Sequence, residues 1–341
     1  MPDDAFDLVS ARTVASAALQ DFARAVWGEQ EHNDILGQWW LTSKFGDATA
    51  AIDRASGRVA GLCVAVPSSW QLPGGQREAA VSICGWYVAP DFTGRGLGKT
   101  LVGSFAERAP LFNALSISDA AIVNFAKLGW VGPFTTRLRL LPLPRLKQWR
   151  RPRSTIYSTR RFAASADRMP AELANALDTI DAARPASQLR RRRCASDWRE
   201  HLAARPTRAP YFTIIADRGE PIGYFIVRPT DAEAGRPYRA ARLHYVSDLI
   251  LNRLDADVID YAMASIAAAA PWSAGALLLC TSNDDIAAAA SRAGWLDEQS
   301  PVLGARLAAK APKYMLGGGL VGFADADIHL SFADSDVDLN I

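Results

Sequence analysis

The chain has 341 residues, of which 49% are hydrophobic and 22% charged, and its net charge at pH 7 is +2. The composition is that of a globular protein, and the length predicts two domains. Four scattered cysteines without a Cys-x-x-Cys pair exclude a zinc site and a disulfide framework. The N-terminus has no secretory signal, and no apolar segment is long enough to span a bilayer. The sequence therefore predicts a cytoplasmic protein with no membrane partner and no metal.

The first elements in chain order are a helix and three strands. Apolar residues recur at helical spacing over residues 14–26. Two strands are predicted on either side of a turn at residues 55–57, and the apolar run at 81–88 predicts a third, buried strand. Pro90 ends this third strand, because proline has no amide hydrogen to give to the ladder.

A glycine-rich stretch, TGRGLGKT, follows at residues 93–100 and leads into an apolar helical pattern. Glycines let a backbone approach a ligand closely, and the first amides of a helix lack partners and attract negative charge. Arg95 and Lys99 add fixed positive charge. The stretch therefore predicts a cradle for a diphosphate group.

Three phosphate-binding patterns compete for this stretch, beside a plain glycine turn without a ligand. The dinucleotide fingerprint G-x-G-x-x-G does not fit, because the glycines here follow G-x-G-x-G. The nucleotide P-loop fits at Gly98, Lys99 and Thr100, but Thr93 replaces its first glycine and no Walker B partner follows. The third pattern is V-x-P-x-x-[QR]-x-x-G-x-[GA]. It matches the chain at Val88, Pro90, Gly96 and Gly98, while Thr93 stands at the [QR] position.

Beyond the loop the pattern continues as strand, helix and strand. Residues 111–117 predict a short strand, residues 119–130 a helix capped by Asp119, and residues 134–141 an antiparallel strand. The order to this point is β-β-β-α-β-α-β. Residues 142–210 contain prolines and two runs of arginines, which we interpret as a linker with a solvated face. A nucleic-acid site is the weaker alternative.

The chain then repeats itself with an offset near 160 residues. The turn at residues 53–57 is echoed at 217–219, and the helix ending in Gly129-Trp130 is echoed by the one ending in Gly294-Trp295. In place of the glycine loop the second copy has the sequence NRLDADVIDYA. Its negatively charged carboxylates would repel a diphosphate. We therefore expect a single cofactor site.

Four divisions of the chain are predicted. They are a first domain at residues 1–145, a basic linker at 146–200, a second domain at 201–312 and a tail at 313–341. The tail is rich in glycine and aspartate. It is interpreted either as a disordered acidic terminus or as an ordered strand around Ile328 and Leu330 that carries carboxylates to a site.

The first domain resembles the GNAT (GCN5-related N-acetyltransferase) superfamily over residues 20–141. The motifs that carry the resemblance are W-W-x-x-x-K-F, V-A-P-D-F-T-G-R-G-L-G, L-F-N-A-L-S and K-L-G-W. Together they look like a group of bacterial GNAT proteins associated with surface-polysaccharide or sugar modification. The resemblance implies an α/β fold (α+β mixed sheet) with two tandem GNAT-like domains, the second degenerate. Each would be a mixed, mostly antiparallel sheet flanked by helices.

The resemblance also implies a co-substrate, acetyl-CoA or another acyl-CoA. In the family the loop amides bind the CoA pyrophosphate and the preceding strand pairs with pantetheine. A splay between that strand and the next, here at residues 111–113, admits the cofactor. The residues expected to bind the cofactor are Trp86, Tyr87, Val88, Thr93, Gly94, Arg95, Gly96, Leu97, Gly98, Lys99, Thr100, Asn113 and Ser118.

Two departures from the family pattern concern catalysis. Phe125 replaces the tyrosine that is the family's usual general acid, and residues 81–88 lack the usual glutamate base. Glu78 is the predicted base in its place. Asp334 and Asp336 are the alternatives if the tail folds back, and Tyr87 is a candidate proton donor.

The sequence thus favours transfer of an acyl group from acyl-CoA to a small amine or amino sugar. A non-catalytic acyl-CoA-binding or scaffold protein stays open as an alternative of a different class. A third hypothesis is an aminoacyl-tRNA-dependent peptidoglycan transferase. The arginine runs suggest it, and the intact CoA loop opposes it.

Overall fold

A computed structural model describes residues 5–27, 47–105, 108–114, 117–142, 154–165, 167–203, 210–229, 243–270, 276–297 and 311–331. The W-W-x-x-x-K-F motif, the first arginines of the linker, and the candidates Asp334 and Asp336 lie outside these residues.

The described residues form sixteen strands and seven α-helices. The strands are β1 (Phe6–Ser10), β2 (Asp47–Asp53), β3 (Val59–Gln71), β4 (Arg77–Val88), β5 (Leu111–Ala114), β6 (Val131–Thr135), β7 (Arg137–Pro142), β8 (Tyr157–Ala163), β9 (Leu189–Arg191), β10 (Tyr211–Asp217), β11 (Glu220–Pro229), β12 (Leu243–Leu251), β13 (Ala276–Thr281), β14 (Leu296–Asp297), β15 (Lys313–Gly318) and β16 (Ile328–His329). The helices are α1 (Ser16–Trp27), α2 (Leu97–Gly103), α3 (Asp119–Lys127), α4 (Ala171–Ala183), α5 (Ala195–Ala203), α6 (Ala256–Ala269) and α7 (Asp284–Arg292). None of these helices has both the length and the apolarity needed to cross a bilayer.

The chain divides into two compact units, and each draws on separate stretches of sequence. The first unit comprises Met1–Trp70, Arg77–Pro133 and Tyr314–Asp325. The second comprises Gln71–Gln76, Phe134–Lys313 and Ala326–Ile341. The division therefore differs from the contiguous segments expected from the sequence, because part of the tail belongs to the first unit.

The first unit is built on a mixed sheet with the strand order β1-β2-β3-β4-β5-β15-β6. Strands β1, β2 and β3 pair antiparallel, whereas β4 and β5 are parallel. The helices bury apolar side chains against this sheet, because their hydrophobic residues recur on one face. Leu19 and Phe22 of α1 and Leu101 of α2 belong to this core.

The second unit repeats the arrangement with the strand order β14-β7-β13-β12-β11-β10-β8. The hairpin β10–β11 turns through Arg218 and Gly219, both at positive φ, and β12 pairs with β13 in parallel. Helices α6 and α7 bury Ile259, Ile266 and Ile286 in its core. The prediction of two copies of one mixed α/β unit is therefore confirmed.

Two strands occupy places that the sequence did not predict. The single strand expected at residues 134–141 is divided at Thr136 into β6 and β7, and β7 pairs with β13 in the second unit's sheet. Strand β15, from the predicted tail, pairs antiparallel with β5 in the first unit's sheet. The described part of the tail thus contains the strands β15 and β16, which supports the second of the two interpretations given above.

Candidate functional site

The centre of the candidate site is the carboxyl-terminal half of β4. Its first half pairs with β5, with Ala80 opposite Leu111 and Ile83 opposite Ala114. From Cys84 to Val88 no β5 residue faces β4 within the described part of the chain. The expectation of a splay at residues 111–113 was therefore wrong in position, since those residues are paired with β4.

The glycine loop follows directly on this half-strand. A 3-10 turn at Pro90–Phe92 ends at Thr93, whose hydroxyl donates to the Pro90 carbonyl over 2.9 Å. Gly94 and Gly96 then adopt φ values of +78° and +77°, which L side chains rarely tolerate. Residues 93–96 are exposed.

Helix α2 begins at Leu97 without a side-chain cap. Its N-cap residue is Gly96, so no side-chain oxygen accepts from the amides of the first turn. Lys99 is exposed, and the Arg95 guanidinium lies 5.2 Å from the centre of the Phe92 ring. The loop therefore presents free amides and two cations to an anion.

Two further glycines hold α2 close to the sheet. A Cβ added to Gly98 would lie 2.8 Å from the indole of Trp86, and one added to Gly61 would lie 2.8 Å from Leu101 Cδ1. Neither position has room for a larger residue. The close fit fixes the start of α2 next to residues 84–88 of β4.

The residue in place of the family's tyrosine lies inside an aromatic cluster. Phe125 is 1% exposed, and its ring centre is 4.6 Å from that of Trp86 and 4.4 Å from that of Trp130. The Trp86 indole nitrogen is buried without a hydrogen-bond partner among the described residues. A proton donor at position 125 would therefore be enclosed by indole rings.

Polar side chains meet where the paired half of β4 ends. The Ser82 hydroxyl lies 3.0 Å from Asn113 Oδ1 and 3.2 Å from the Ser68 hydroxyl. Asn113 is fully buried, and its Nδ2 has no hydrogen-bond partner among the described residues. A buried amide donor without a partner is costly, so an acceptor from a bound ligand would stabilise it.

The remaining predicted site residues are spread along the strand and the next helix. Glu78 and Tyr87 are nine residues apart on β4, which is about 30 Å at 3.3 Å per residue. They cannot both touch one reacting atom. Ser118 caps α3 by accepting from the Ala121 amide, so the cap is one residue earlier than predicted.

The corresponding place in the second unit is filled by protein. The pairing of β12 with β13 ends at Val246, and the Asp248 carboxylate follows two residues later, fully buried. Ser331 donates to Asp248 over 2.7 Å, while the Ser282 hydroxyl, just after β13, donates to the Ile328 carbonyl over 2.7 Å. The segment at residues 328–331 thus lies between the ends of these two strands.

Sequence reasoning missed Asp248, whose only signal was a carboxylate inside the apolar run LHYVSDLIL. The carboxylate also accepts from Arg193 Nε at 2.9 Å and from the Tyr224 hydroxyl at 2.8 Å. Burial by itself raises the pKa of Asp248, but the Arg193 guanidinium and the donated hydrogen bonds outweigh it and hold the pKa well below its usual range.

The helix that corresponds to α2 in the second unit is α6, and its start differs chemically. Its N-cap is Asp255, whose carboxylate already accepts from the Val258 amide. Arg253 pairs with the same carboxylate at 3.0 Å. Only the first unit, within the described residues, combines an uncapped helix start with the glycine loop. No group of three or more potential metal-ligating side chains occurs in the same described ranges.

Comparison with known proteins gives a family for the first part of the chain. Residues 14–130 match the model of the acetyltransferase (GNAT) family. None of the curated protein sequences matches the chain.

Solved structures share the fold of the whole chain. A GCN5-related N-acetyltransferase from Anabaena variabilis is 15% identical, with a TM-score of 0.55 over 92% of this chain and 72% of that one. A tandem GNAT protein from the clavulanic acid biosynthesis pathway is 16% identical, with a TM-score of 0.54 over 92% and 98% of the two chains.

A third structure is a GCN5-related glucosamine N-acetyltransferase region in a fungal multi-domain β-N-acetylglucosaminidase. It is 11% identical, with a TM-score of 0.56 over 91% of this chain and 38% of that one. At such identities the likeness to these structures is one of fold.

Proposed function

We propose that the protein is an acyl-CoA-dependent N-acyltransferase, because residues 14–130 match the model of the GNAT acetyltransferase family and the fold is similar to that of a tandem GNAT protein. The observation that carries the proposal is the start of α2, which has no side-chain cap at Gly96. It follows residues 84–88 of β4, which face no described residue of β5. The loop amides, Arg95 and Lys99 would hold the CoA pyrophosphate. Residues 84–88, which face no described residue of β5, would pair with the pantetheine amides, which need such partners when buried.

The chemistry is aminolysis of a thioester. The amine nitrogen attacks the acyl carbon, the carbon–sulfur bond breaks, and a proton passes from the amine toward the leaving thiolate. The protein's main contribution is to align the two reactants. The unpaired Nδ2 of Asn113 supports a role as donor to the acyl carbonyl.

We assign proton donation to Tyr87 and do not place the base at Glu78. Tyr87 lies in the half of β4 that leads into the glycine loop, whereas Glu78 is near the other end of the strand. A phenol can protonate a departing thiolate when it is held near the sulfur. Asp334 and Asp336 stay candidates for the base that takes the proton from the amine.

The proposed co-substrate is acetyl-CoA, and the proposed acceptor is a small amine or an amino sugar. The amino sugar rests on the resemblance of the sequence motifs to GNAT proteins associated with sugar modification, and a region described as a glucosamine N-acetyltransferase has a similar fold. One cofactor per chain is expected, because Asp255 caps the equivalent helix of the second unit and residues 328–331 fill the equivalent opening.

The decisive experiment is calorimetric titration of acetyl-CoA into the protein with Arg95→Glu and Lys99→Glu combined. Loss of both cations should weaken binding by at least tenfold, or about 1.4 kcal/mol, since each contributes to holding the diphosphate. The matched control is Lys127→Glu with Arg168→Glu, which changes the net charge equally at exposed positions away from the loop. Equal acetyl-CoA affinity of the two double variants would contradict the assignment of the glycine loop as the pyrophosphate site.

A non-catalytic acyl-CoA-binding protein is the second candidate. It is favoured by the burial of Phe125 under two tryptophans at the position of the family's tyrosine. The two candidates are separated by following thiol release from acetyl-CoA across a panel of amines and amino sugars. Binding without thiol release with any acceptor would decide for the second.

A further inference from the structure

A cleft in the second unit lies between helix α4 and the strands β8 and β10. It encloses about 390 Å³, within the range of roughly 300–1,000 Å³ that is usual for small-molecule sites. Its walls consist of alternate residues of β8 and of residues spaced three or four apart on α4, and both spacings place side chains on one face. These residues are Ser158, Arg160 and Phe162 on β8, and Glu172, Asn175 and Thr179 on α4.

The floor of the cleft is apolar. Ile214 of β10 is buried, and it lies opposite Arg160 in the register of β8 with β10. Ala216 and Pro221, which also line the cleft, are half-buried. Removal of a ligand's C–H surface from water is therefore favourable at this floor.

The two charged residues that line the cleft, Arg160 and Glu172, form an ion pair with each other. The Arg160 guanidinium also lies 5.1 Å from the centre of the Phe162 ring. An anion or a cation in the cleft would be attracted by one member of the pair and repelled by the other. The cleft therefore favours a ligand without net charge.

Three polar side chains on the walls are available to a ligand. No hydrogen bond joins the side chain of Ser158 or of Asn175 to another residue of the described chain. The Thr179 hydroxyl donates to the Asn175 backbone carbonyl at 2.8 Å, and its oxygen can still accept. A wholly apolar ligand would remove water from these groups without replacing its hydrogen bonds, which is unfavourable.

We propose that the cleft binds a neutral pyranose ring, the unit of a carbohydrate. A pyranose has no charge, presents C–H groups on its faces, and carries hydroxyls that both donate and accept, as Ser158 and Asn175 do. One face would cover Ile214, Ala216 and Pro221, while the hydroxyls at the ring's edge would bond to the walls. This inference is independent of the acyl-CoA proposal, which concerns the other unit.

The test is saturation-transfer NMR on the full chain with the methyl glycosides of glucose, galactose and mannose, which are neutral and have no amine. At least one should bind saturably, with most of the transfer to the protons of one ring face. Asn175→Leu keeps the size of the side chain but removes its hydrogen bonds, so it should weaken binding by about fivefold or more. Thr159→Val is the matched control and should leave the affinity unchanged, because Thr159 is exposed on the opposite face of β8.

Ser158→Ala tests the other wall of the cleft and should also weaken binding. Ser158 and Asn175 are exposed, so both variants should fold, which circular dichroism would verify. Weaker binding in either variant, with Thr159→Val unchanged, supports the proposal. The absence of saturable binding by any glycoside would overturn it, and so would affinities that are equal in all four proteins or equally reduced in Thr159→Val. Preferential binding of alanine or acetate, lost in Asn175→Leu, would overturn the assignment to a neutral carbohydrate.

Discussion

Gly98 and Gly103 belong to the same short helix but have different surroundings. A Cβ at Gly98 would lie 2.8 Å from the Trp86 indole, whereas one at Gly103 would meet nothing within 4 Å. Gly98→Ala should destabilise the first unit by about 1–3 kcal/mol through overpacking and should weaken acetyl-CoA binding by tilting the helix start. Gly103→Ala should leave binding unchanged, with a small gain in stability from helix propensity. Denaturant unfolding and calorimetry would check both, and a Gly98→Ala protein with unchanged affinity would refute the tight fit.

The role given to Tyr87 leads to a second prediction for a single residue. Tyr87→Phe removes one hydroxyl from the half of β4 that leads into the glycine loop, so kcat should fall at least tenfold with little change in acetyl-CoA affinity. The control is Tyr157→Phe in the second unit, where Tyr157 packs its ring on Tyr261. The measurement is the rate of thiol release with an accepted amine, and equal rates for the two variants would rule out Tyr87 as the acid.

At the scale of the element, the packing of strand β15 explains the cluster of glycines at residues 317–319. A Cβ at Gly317 would overlap the indole of Trp130, one at Gly318 would overlap the Pro110 carbonyl oxygen, and one at Gly319 would lie 2.7 Å from Leu111 Cδ2. The strand can lie beside β5 only because these residues have no side chain. The cluster is therefore a packing feature of the first unit's sheet.

Substitution of these glycines tests the place of β15. Gly317→Ala should lower the free energy of unfolding of the first unit by at least about 1–3 kcal/mol, because the indole of Trp130 has no room to move within a buried cluster. Gly322→Ala is the matched control, since a Cβ there meets nothing within 4 Å. Chemical unfolding followed by tryptophan fluorescence would report the difference. Equal stabilities would show that β15 does not pack under Trp130.

The elements also show how far sequence patterns reach. The strand at 81–88, the glycine loop and the duplicated hairpins were predictable, because apolar runs, turn residues and helix ends act locally. The division at Thr136 and the pairing of β15 with β5 were not, since alternation identifies a strand but not its partner. The position of the splay was misplaced for the same reason, because it depends on the register of β4 with β5.

At the scale of the whole molecule, the two copies of the unit differ at the start of the equivalent helices and at the end of the equivalent parallel strands. The first copy has the glycine loop and a helix start without a side-chain cap. The second copy has Asp255 at the helix start and Asp248 on β12, just beyond the pairing of β12 with β13. The convergence on Asp248 of Arg193, Tyr224 and Ser331, which are distant in sequence, could not be foreseen from local patterns.

The stability of the second unit should therefore depend on pH through Asp248. Its pKa is lower in the folded state than the unperturbed value of about 3.9, so its contribution is complete above that value and is lost as the pH falls below it. Asp248→Asn should lower stability at pH 7 by about 3–5 kcal/mol, because Arg193 is left buried without its counter-charge. The stability of the variant should also fall less steeply below pH 4 than that of the unaltered chain.

The matched control for that prediction is Asp260→Asn. Asp260 is exposed and lies 3.7 Å from Arg292, so its removal should change stability by no more than about 0.5 kcal/mol and leave the acid dependence intact. Urea unfolding of the three proteins at a series of pH values between 3 and 7 would separate the two aspartates. If Asp248→Asn and Asp260→Asn gave the same acid profile, the buried carboxylate would not be the group that holds residues 328–331 in the second unit. The difference between the two copies would then rest on the helix caps alone.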